Sequence, residues 1–278
     1  MSLQISQPPE ADAADLVKRL WTILRDDARR IQGGEPVLVA LLQRTIAGRS
    51  SFADSLAHVL AGKLAGAGVD EAALLQVAAG AMRDDPSIAL NAAADLCANL
   101  ERDPAYRDAV TPFLYAKGFH ALEWQRVAHA LWNAGSADLA TFIEGRVNDV
   151  FAVDIHPAAR IGRGVFIDHA TGVVIGETAV VGDDVSMLHG VTLGGTGKQR
   201  GDRHPKIGRG VLLGAGSTVL GNITVGEGAK VAAGSVVIRP VPPWTTVAGV
   251  PADVVGHSSA GEHPGQTMDQ AFVLDFQI

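Results

Sequence analysis

The strongest constraint on the fold of this 278-residue chain is a six-residue repeat of apolar side chains that begins near residue 153. With two interruptions, an apolar residue returns at every sixth position and is often followed by glycine, as in IGRGVF and VGEGAK. The repeated positions are Ile155, Ile161, Ile167, Ile175, Val181, Met187, Leu193, Ile207, Leu213, Val219, Val225, Val231 and Val237. Such a repeat is typical of a parallel β-helix, in which three repeats form one coil and the repeated side chains fill the interior. The glycines are expected at corners, where the backbone takes conformations that are unfavourable for a residue with a Cβ.

The sequence before the repeats is rich in alanine and leucine and has the spacing of helices. In DAADLVKRLWTIL, for example, Leu16 and Leu20 fall on one helical face. The segment TPFLYAKGFHALEWQRVAHALWNAG predicts one helix that begins with Thr111 and ends at Gly135, and Ser136 is the expected cap of the next helix. We therefore predict a fold of the α + β-solenoid class in three parts: an all-α domain over residues 1–150, a β-helix over 151–256 and a flexible tail over 257–278.

Composition excludes several classes of function. A net charge of −7 argues against a general nucleic-acid binder. The single cysteine, Cys97, cannot form an internal disulfide bond, and no cysteine cluster is available to hold zinc. The first residues lack the pattern of a secretory signal, and no run of about 18 apolar residues could span a membrane. The expected compartment is the cytoplasm.

Two irregularities in the repeat mark the region where function is expected. Two residues are inserted directly after Asp168 and His169, and a polar excursion, GGTGKQRGDRHPK, follows Leu193. Repeat proteins place insertions on the surface, often on the functional face. The unusual Asp-His pair and the excursion are therefore both candidate parts of a site.

His169 is the candidate general base. Asp154 precedes it by 15 residues, so the two side chains can be neighbours on successive coils. A carboxylate that accepts a hydrogen bond from one imidazole nitrogen selects the tautomer and leaves the other nitrogen free to take a proton. The spacing alone equally allows solvated side chains at coil corners.

Arg203 and His204 of the excursion form a second polar cluster, since arginine can hold a carboxylate through two parallel hydrogen bonds. A plain polar loop is the alternative. The GGTGK segment is not a phosphate-binding loop, because Thr192 stands where that motif needs glycine. A zinc site of three histidines is the weaker hypothesis for His169, His189 and His204, because no two histidines are spaced five apart as in the carbonic anhydrases of similar fold.

Residues 101–256 resemble the serine acetyltransferases. The resemblance rests on ERDPAYRDAVTPFLYAKGFHALEWQRVAHALW, VDIHPAARIGRGVFIDHATGVVIGETAVVG, VTLGGTGK, GDRHPKIG and AGVPADVVG. It implies a left-handed β-helix, a trimer with active sites between subunits, and a hexamer made of two trimers. It also implies transfer of acetyl from acetyl-CoA to the hydroxyl of L-serine, giving O-acetyl-L-serine and CoA, as the first step towards cysteine.

The matching motifs imply a role for each site residue. His169 would be the base, oriented by Asp154, in a direct transfer without an acyl-enzyme or a metal. Asp103 and Asp168 would hold the serine ammonium, and Arg203 and His204 its carboxylate. The residues implied along coenzyme A are Gly195, Thr196, Ala215, Gly216 and Lys230. L-Cysteine, which has sulfur in place of the serine oxygen, is implied as an inhibitor at the same site.

The tail SSAGEHPGQTMDQAFVLDFQI is expected to be mobile, although Phe272, Val273, Leu274 and Phe276 could instead cover the β-helix. Family members that end in isoleucine insert it into the active site of O-acetylserine sulfhydrylase, so Ile278 is implied as the anchor for that partner. Two rival functions are open: a sugar or other small-molecule O-acetyltransferase, and a non-enzymatic scaffold in which His169 is dispensable.

Overall fold

Helices form the first half of the chain in the computed structural model, which describes residues 13–197 and 200–270. They are α1 (Ala13–Gly34), α2 (Val39–Leu42), α3 (Phe52–Leu64), α4 (Glu71–Asp84), α5 (Ser87–Arg102), α6 (Val110–Tyr115), α7 (Lys117–Asn133) and α8 (Ala137–Phe151). Short 3₁₀ and π segments, Pro36–Leu38 and Gln43–Ala47, flank α2. Leu16 and Leu20 are buried as the helical spacing predicts. Among the described helices, none is long and apolar enough to cross a membrane.

The single helix predicted between Thr111 and Gly135 is divided at Ala116, and Asp108 rather than Thr111 caps its first part. The Asp108 Oδ1 atom accepts hydrogen bonds from the Thr111 N–H and hydroxyl, both at 2.8 Å. Two residues after the break, Gly118 lies so close to the solenoid that an added Cβ would be 2.0 Å from the Ile167 carbonyl oxygen. The contact between Gly118 and Ile167 of the solenoid therefore determines where the predicted helix is interrupted. Ser136 precedes α8 without a side-chain capping bond.

The repeats form the strands of a parallel solenoid, as the sequence predicts. The strands are β1 (Val153–Ile155), β2 (Arg160–Ile161), β3 (Phe166–Ile167), β4 (Val173–Ile175), β5 (Val180–Val181), β6 (Ser186–Met187), β7 (Thr192–Gly194), β8 (Lys206–Ile207), β9 (Leu212–Leu213), β10 (Thr218–Leu220), β11 (Thr224–Val225), β12 (Lys230–Val231), β13 (Val236–Val237), β14 (Thr245–Gly249) and β15 (Ala252–His257).

Successive strands join three walls in turn. In the described residues the first wall is β1-β4-β7-β10-β13, the second is β2-β5-β8-β11 and the third is β3-β6-β9-β12-β14, with β15 paired antiparallel to β14. Parallel pairing brings the anchors into register, so that Ile175 lies between Ile155 and Leu193. Apart from the half-buried Ile161, the predicted anchors are buried. Full burial of each such side chain contributes about 1.5–3 kcal/mol, so the stack stabilises the coils collectively.

Glycine directly after an anchor is needed for a reason other than the backbone conformation expected from the sequence. Gly208 has no positive φ, but a Cβ there would lie 2.6 Å from the Glu227 nitrogen of the next coil. At this corner the coils approach too closely for any side chain.

The tail is packed on the solenoid as far as the structure describes it, which differs from the mobile extension expected. A short helix, α9 (Pro264–Thr267), contains Gly265, whose N–H donates to the Gly210 oxygen at 2.9 Å and whose oxygen accepts a bond from the Ser186 hydroxyl. The His263 and Trp244 rings lie 5.1 Å apart. Backbone hydrogen bonds to the coils therefore hold a segment whose composition resembles a linker. The apolar residues predicted as a cap, and Ile278, lie outside the described residues.

Candidate active site

Two rows of corners carry the predicted site residues. The corners between the third and first walls, residues 168–172, 188–190 and 214–216, form what we call the His169 row. The corners between the first and second walls, residues 176–179, 194–205 and 221–223, form the Arg203 row. Backbone hydrogen bonds stack the His169 row: the Gly190 N–H donates to the Thr171 oxygen and the Gly216 N–H to the His189 oxygen, both at 2.9 Å.

The first corner of the His169 row has an unusual backbone. His169 and Ala170 have φ values of 56° and 57°, the left-handed region that residues with a Cβ seldom occupy. Tight hydrogen bonds, from the Ala170 N–H to the Asp168 oxygen at 2.6 Å and from the Thr171 N–H to the His169 oxygen at 2.7 Å, hold this turn. The result is a His169 side chain that is 74% exposed. Such backbone strain in non-glycine residues concentrates at functional sites.

A cavity of about 190 Å³ opens beside this corner. Asp103, which directly follows α5, lines it together with Asp168 and His169, so three residues predicted as one site do meet in a single chain. The Ala105 N–H donates to the Asp103 carboxylate at 2.9 Å and orients it. The cavity also contains Tyr106, Tyr115 and Lys117.

Those last three residues are not identified by the sequence analysis. Lys117 follows the helix break, and its ammonium donates to the hydroxyl of Thr171 in the same corner as His169. Tyr106 and Tyr115 both lie in ERDPAYRDAVTPFLYAKGFHALEWQRVAHALW, and the family resemblance of that segment is the signal that the sequence offers for them. Without the fold, the segment could not be placed against the first coil of the solenoid.

Two carboxylates give the cavity its electrostatic character. Burial raises the pKa of Asp168, and the Asp103 charge raises it further, while the charge of His169 opposes the shift. Burial also raises the pKa of Tyr106, and the same two carboxylates add to that effect. The Asp168 Oδ2 atom lies 3.6 Å from His169 Nε2. Neighbouring carboxylates in a half-buried cavity favour a bound cation such as a primary ammonium.

In the part of the chain that the structure describes, no ion pair joins Asp154 to His169. Among the described residues, Asp168 is the carboxylate in ion-pair contact with the His169 ring. Asp154 lies on β1 and forms a hydrogen bond with Glu144 of α8. Burial, the charge of Asp154 and this bond together raise the pKa of Glu144 to about 7. The carboxyl group of Glu144, which faces Asp154, is therefore protonated up to about pH 7.

Arg203 and His204 are on the other row, at a corner built to hold them. His204 is 7% exposed, and a Cβ on Gly176 would lie 2.0 Å from its Nε2, so only glycine leaves room for the ring. The Thr178 N–H donates to His204 Nδ1 at 3.1 Å, which places the proton of the neutral ring on Nε2. Burial lowers the pKa of His204, and the Arg203 charge lowers it further. Arg203 Nη2 lies 2.7 Å from the Glu177 carboxylate.

The predicted coenzyme A residues are also divided between the two rows. Gly195 and Thr196 are on the Arg203 row, whereas Ala215 and Gly216 are on the His169 row. Lys230 is on neither row: it lies on the third wall in β12, is 6% exposed, and its Nζ is 3.4 Å from Asp269 of the tail.

The histidines considered as zinc ligands are separated in the same way. His204 is on a different row from His169 and His189. In the described ranges, no three histidine, cysteine, aspartate or glutamate side chains gather as metal ligands.

Two family models match the chain. The model described as serine acetyltransferase, N-terminal, matches residues 20–124, and the model described as bacterial transferase hexapeptide (six repeats) matches residues 204–239. The serine acetyltransferase of Salmonella typhimurium is 50% identical over 253 residues, which cover 91% of this chain and 92% of that protein.

Solved structures agree with these matches. A structure of a serine acetyltransferase in complex with cysteine has a TM-score of 0.89 and 44% identity, and the match covers 94% of this chain and 100% of that one. The crystal structure of the serine acetyltransferase of Brucella abortus in complex with coenzyme A has a TM-score of 0.86 and 47% identity, covering 88% of this chain and 98% of that one.

Proposed function

Since the chain belongs to the serine acetyltransferase family, whose members are acetyl-CoA-dependent acyltransferases, we propose that it makes O-acetyl-L-serine by direct transfer, with His169 as general base. The observation that carries this proposal is the cavity in which an exposed imidazole, on a strained corner, stands beside two carboxylates. The carboxylates suit the ammonium of an amino acid and the imidazole suits removal of a hydroxyl proton. A hexose has no ammonium for them to bind.

The proposed reaction moves one proton and one acetyl group. The serine hydroxyl gives its proton to His169 as its oxygen attacks the thioester carbonyl carbon. The tetrahedral intermediate collapses, the carbon–sulfur bond breaks, and the coenzyme A sulfur takes the proton. No acyl-enzyme on Cys97 is involved, because burial, with the charges of Glu101 and Asp95, raises the pKa of that thiol to about 12.

The proposed active site is formed between two subunits. Asp103 and Asp168 hold the serine ammonium in the cavity of the His169 row, whereas Arg203 and the His204 Nε2–H hold its carboxylate from the Arg203 row of a neighbouring copy. The two rows are on different edges of one solenoid, so a small amino acid cannot touch both rows of the same chain. A trimer, alone or as half of a hexamer, meets this requirement.

We also propose one inhibitor and one protein partner. A related serine acetyltransferase has been solved in complex with cysteine. L-Cysteine carries the same ammonium and carboxylate as L-serine, so it should compete with serine for this site. The terminal Ile278 is proposed to bind O-acetylserine sulfhydrylase.

Replacement of His169 tests the proposal. His169→Ala should fold and assemble normally and lose about 10²–10⁴-fold in kcat, because general base catalysis contributes about that much. The matched control is His257→Ala, which removes another exposed histidine at the end of β15. CoA release is measured with acetyl-CoA and L-serine, D-serine, threonine or hexoses, and with L-cysteine as inhibitor.

Activity of His169→Ala within a few-fold of the parent would contradict the assignment of the base. Faster turnover of hexoses than of L-serine would support the sugar acetyltransferase instead. In the same assay Asp154→Asn should lower kcat and Asp168→Asn should raise the KM for serine. The reverse pattern would exchange the roles of these two carboxylates.

A further inference from the structure

The first turn of α7 packs against the corner that carries His169. Lys117 is the first residue of this helix, and its ammonium donates a hydrogen bond to the hydroxyl of Thr171. A Cβ on the next residue, Gly118, would lie 3.2 Å from the Cβ of Ala170. The helical half of the chain therefore lies against two consecutive residues of the corner.

A lysine at the start of α7 does not stabilise the helix itself. The N-terminus of a helix carries a partial positive charge, which favours acidic side chains and disfavours cations. The first turn of α7 has no acidic residue to compensate, and the preceding residue, Ala116, provides no side-chain cap. The interaction that Lys117 does make is with the corner, through Thr171.

The Thr171 hydroxyl connects Lys117 to the backbone of His169. A hydroxyl group can accept one hydrogen bond while it donates another. Here it accepts from the Lys117 ammonium and donates to the His169 carbonyl oxygen at 3.4 Å. The Thr171 N–H donates to the same oxygen at 2.7 Å. The contact of Lys117 therefore reaches the backbone of the proposed base through a single side chain.

The direction of the imidazole depends on this backbone. The His169 side chain is 74% exposed, so its surroundings restrict it little. His169 and Ala170 both have positive φ values, which residues with a Cβ keep only where other contacts hold them. A base must lie about 2.6–3.2 Å from the oxygen whose proton it removes, and a displacement of about 1 Å can lower the rate about 10²-fold. Contacts that hold the corner therefore affect the rate.

We propose that Lys117 is a positioning residue for His169: its hydrogen bond to Thr171 holds the corner in the conformation that presents the imidazole to the cavity. This inference rests on the proposed function of His169 as general base. Lys117 also lines the cavity, but among the described residues no ion pair joins its ammonium to Asp103 or Asp168. Its role is therefore geometric, and its loss should affect kcat more than the binding of serine.

The experiment removes each end of this hydrogen bond in the full-length oligomeric protein. Lys117→Met deletes the ammonium and Thr171→Val deletes the hydroxyl, and each should lower kcat about 10–10²-fold. The KM for serine should change less than about twofold, because the Met187 oxygen holds the Asp168 N–H independently at 2.8 Å. Lys117→Arg keeps a donor and should retain kcat within about threefold of the parent. Lys18→Met, which removes an exposed lysine of α1, is the matched control.

Two double variants test whether the contact acts through His169. Lys117→Met combined with Thr171→Val should lose no more than either single variant, because both remove the same hydrogen bond. Lys117→Met added to His169→Ala should leave the residual kcat unchanged, since no imidazole remains to be positioned. Thermal unfolding and oligomer size are measured for every variant. Thr171 is exposed, so its variant decides the result if Lys117→Met is unstable.

Each alternative result overturns the proposal. A loss in Lys117→Met without a loss in Thr171→Val shows that the ammonium acts on the substrate directly. A change confined to KM shows a binding role, and a further loss in the His169→Ala background shows an effect independent of the base. His169→Ala alone separates the two proposals. If it is inactive while the Lys117 and Thr171 variants are active, the base stands and only the positioning inference fails; if it is active, both fail.

Discussion

At the scale of single residues, Glu144 and Asp154 form a carboxyl pair where α8 meets β1. Two carboxylates this close cannot both be ionised at low cost. Burial and the Asp154 charge raise the pKa of Glu144 to about 7. In the folded protein Glu144 therefore keeps its proton and uses it to donate a hydrogen bond to Asp154. Because Asp154 is the proposed orienting residue for His169, Glu144 also limits where that carboxylate can point.

This pair predicts a pH-dependent stability. Glu144 is protonated in the folded state up to about pH 7, whereas the ordinary pKa of a glutamate, which applies to the unfolded chain, is 4.5. The folded state therefore binds the extra proton between these values, and the stability that this provides is lost as the pH rises through the window. Glu144→Gln keeps the neutral form, so its melting temperature relative to the parent should rise between about pH 4.5 and about pH 7 and then level off. The exposed Glu262→Gln is the control, and a pH-independent difference would show that the proton is not shared.

At the scale of elements, a buried cluster joins α5 and α7 to the first coil. Arg126 of α7 donates to the Asp95 carboxylate of α5 at 2.9 Å and to the Ile161 oxygen at 3.2 Å. The other Asp95 oxygen accepts from the Val165 N–H at 2.7 Å. Burial, and then the Asp95 charge, raise the pKa of the fully buried Glu123 well above its usual value. A protonated Glu123 can donate one hydrogen bond to Asp95, which supplies a partner for one of its two carboxyl oxygens that otherwise lack one.

The cluster predicts opposite outcomes for two neighbours on α7. Arg126→Met should destabilise the protein by about 3–5 kcal/mol, because it leaves the Asp95 charge buried without a partner. Glu123→Gln keeps the shape and neutral state of the protonated glutamate, so it should be tolerated. Since a raised pKa means stability that is lost as pH rises, its advantage over the parent should grow towards alkaline pH. Urea unfolding at a fixed protein concentration measures both, and equal destabilisation would mean that Glu123 is ionised.

At the scale of the whole molecule, the proposal that active sites are shared between chains rests on the two rows lying on separate edges of the solenoid. Chains of His169→Ala and Arg203→Ala are each defective at a different row. In a trimer that contains both variants, one of the three interfaces combines an intact His169 row with an intact Arg203 row. Random assembly from equal amounts makes three-quarters of the trimers mixed, so about one quarter of the parental activity should return.

This complementation is measured by refolding or co-expressing the two variants with different tags and purifying the mixed oligomer. The assay uses serine below its KM, where the loss of the Arg203 contact is most evident. Activity no higher than the sum of the two separate variants would show that each site is complete within one chain.

What the sequence determined by itself was the repeat and the residues that break it. A six-residue apolar period allows few folds, because only stacked three-sided coils bury every sixth side chain. The same regularity made Asp168 and His169 visible as exceptions, and the family motifs placed Asp103 with them. These predictions depend on local spacing, which the chain carries without reference to its fold.

The tertiary structure decided everything that depends on distant contacts. The break before Gly118 is set by the backbone of β3, and the partners of Arg126 come from two separate elements, α5 and β2. Residues 258–270 read as a linker, yet Gly265 fits against the coils because it has no Cβ. Asp154 forms a hydrogen bond with Glu144 because α8 packs on β1, and sequence spacing does not encode that packing.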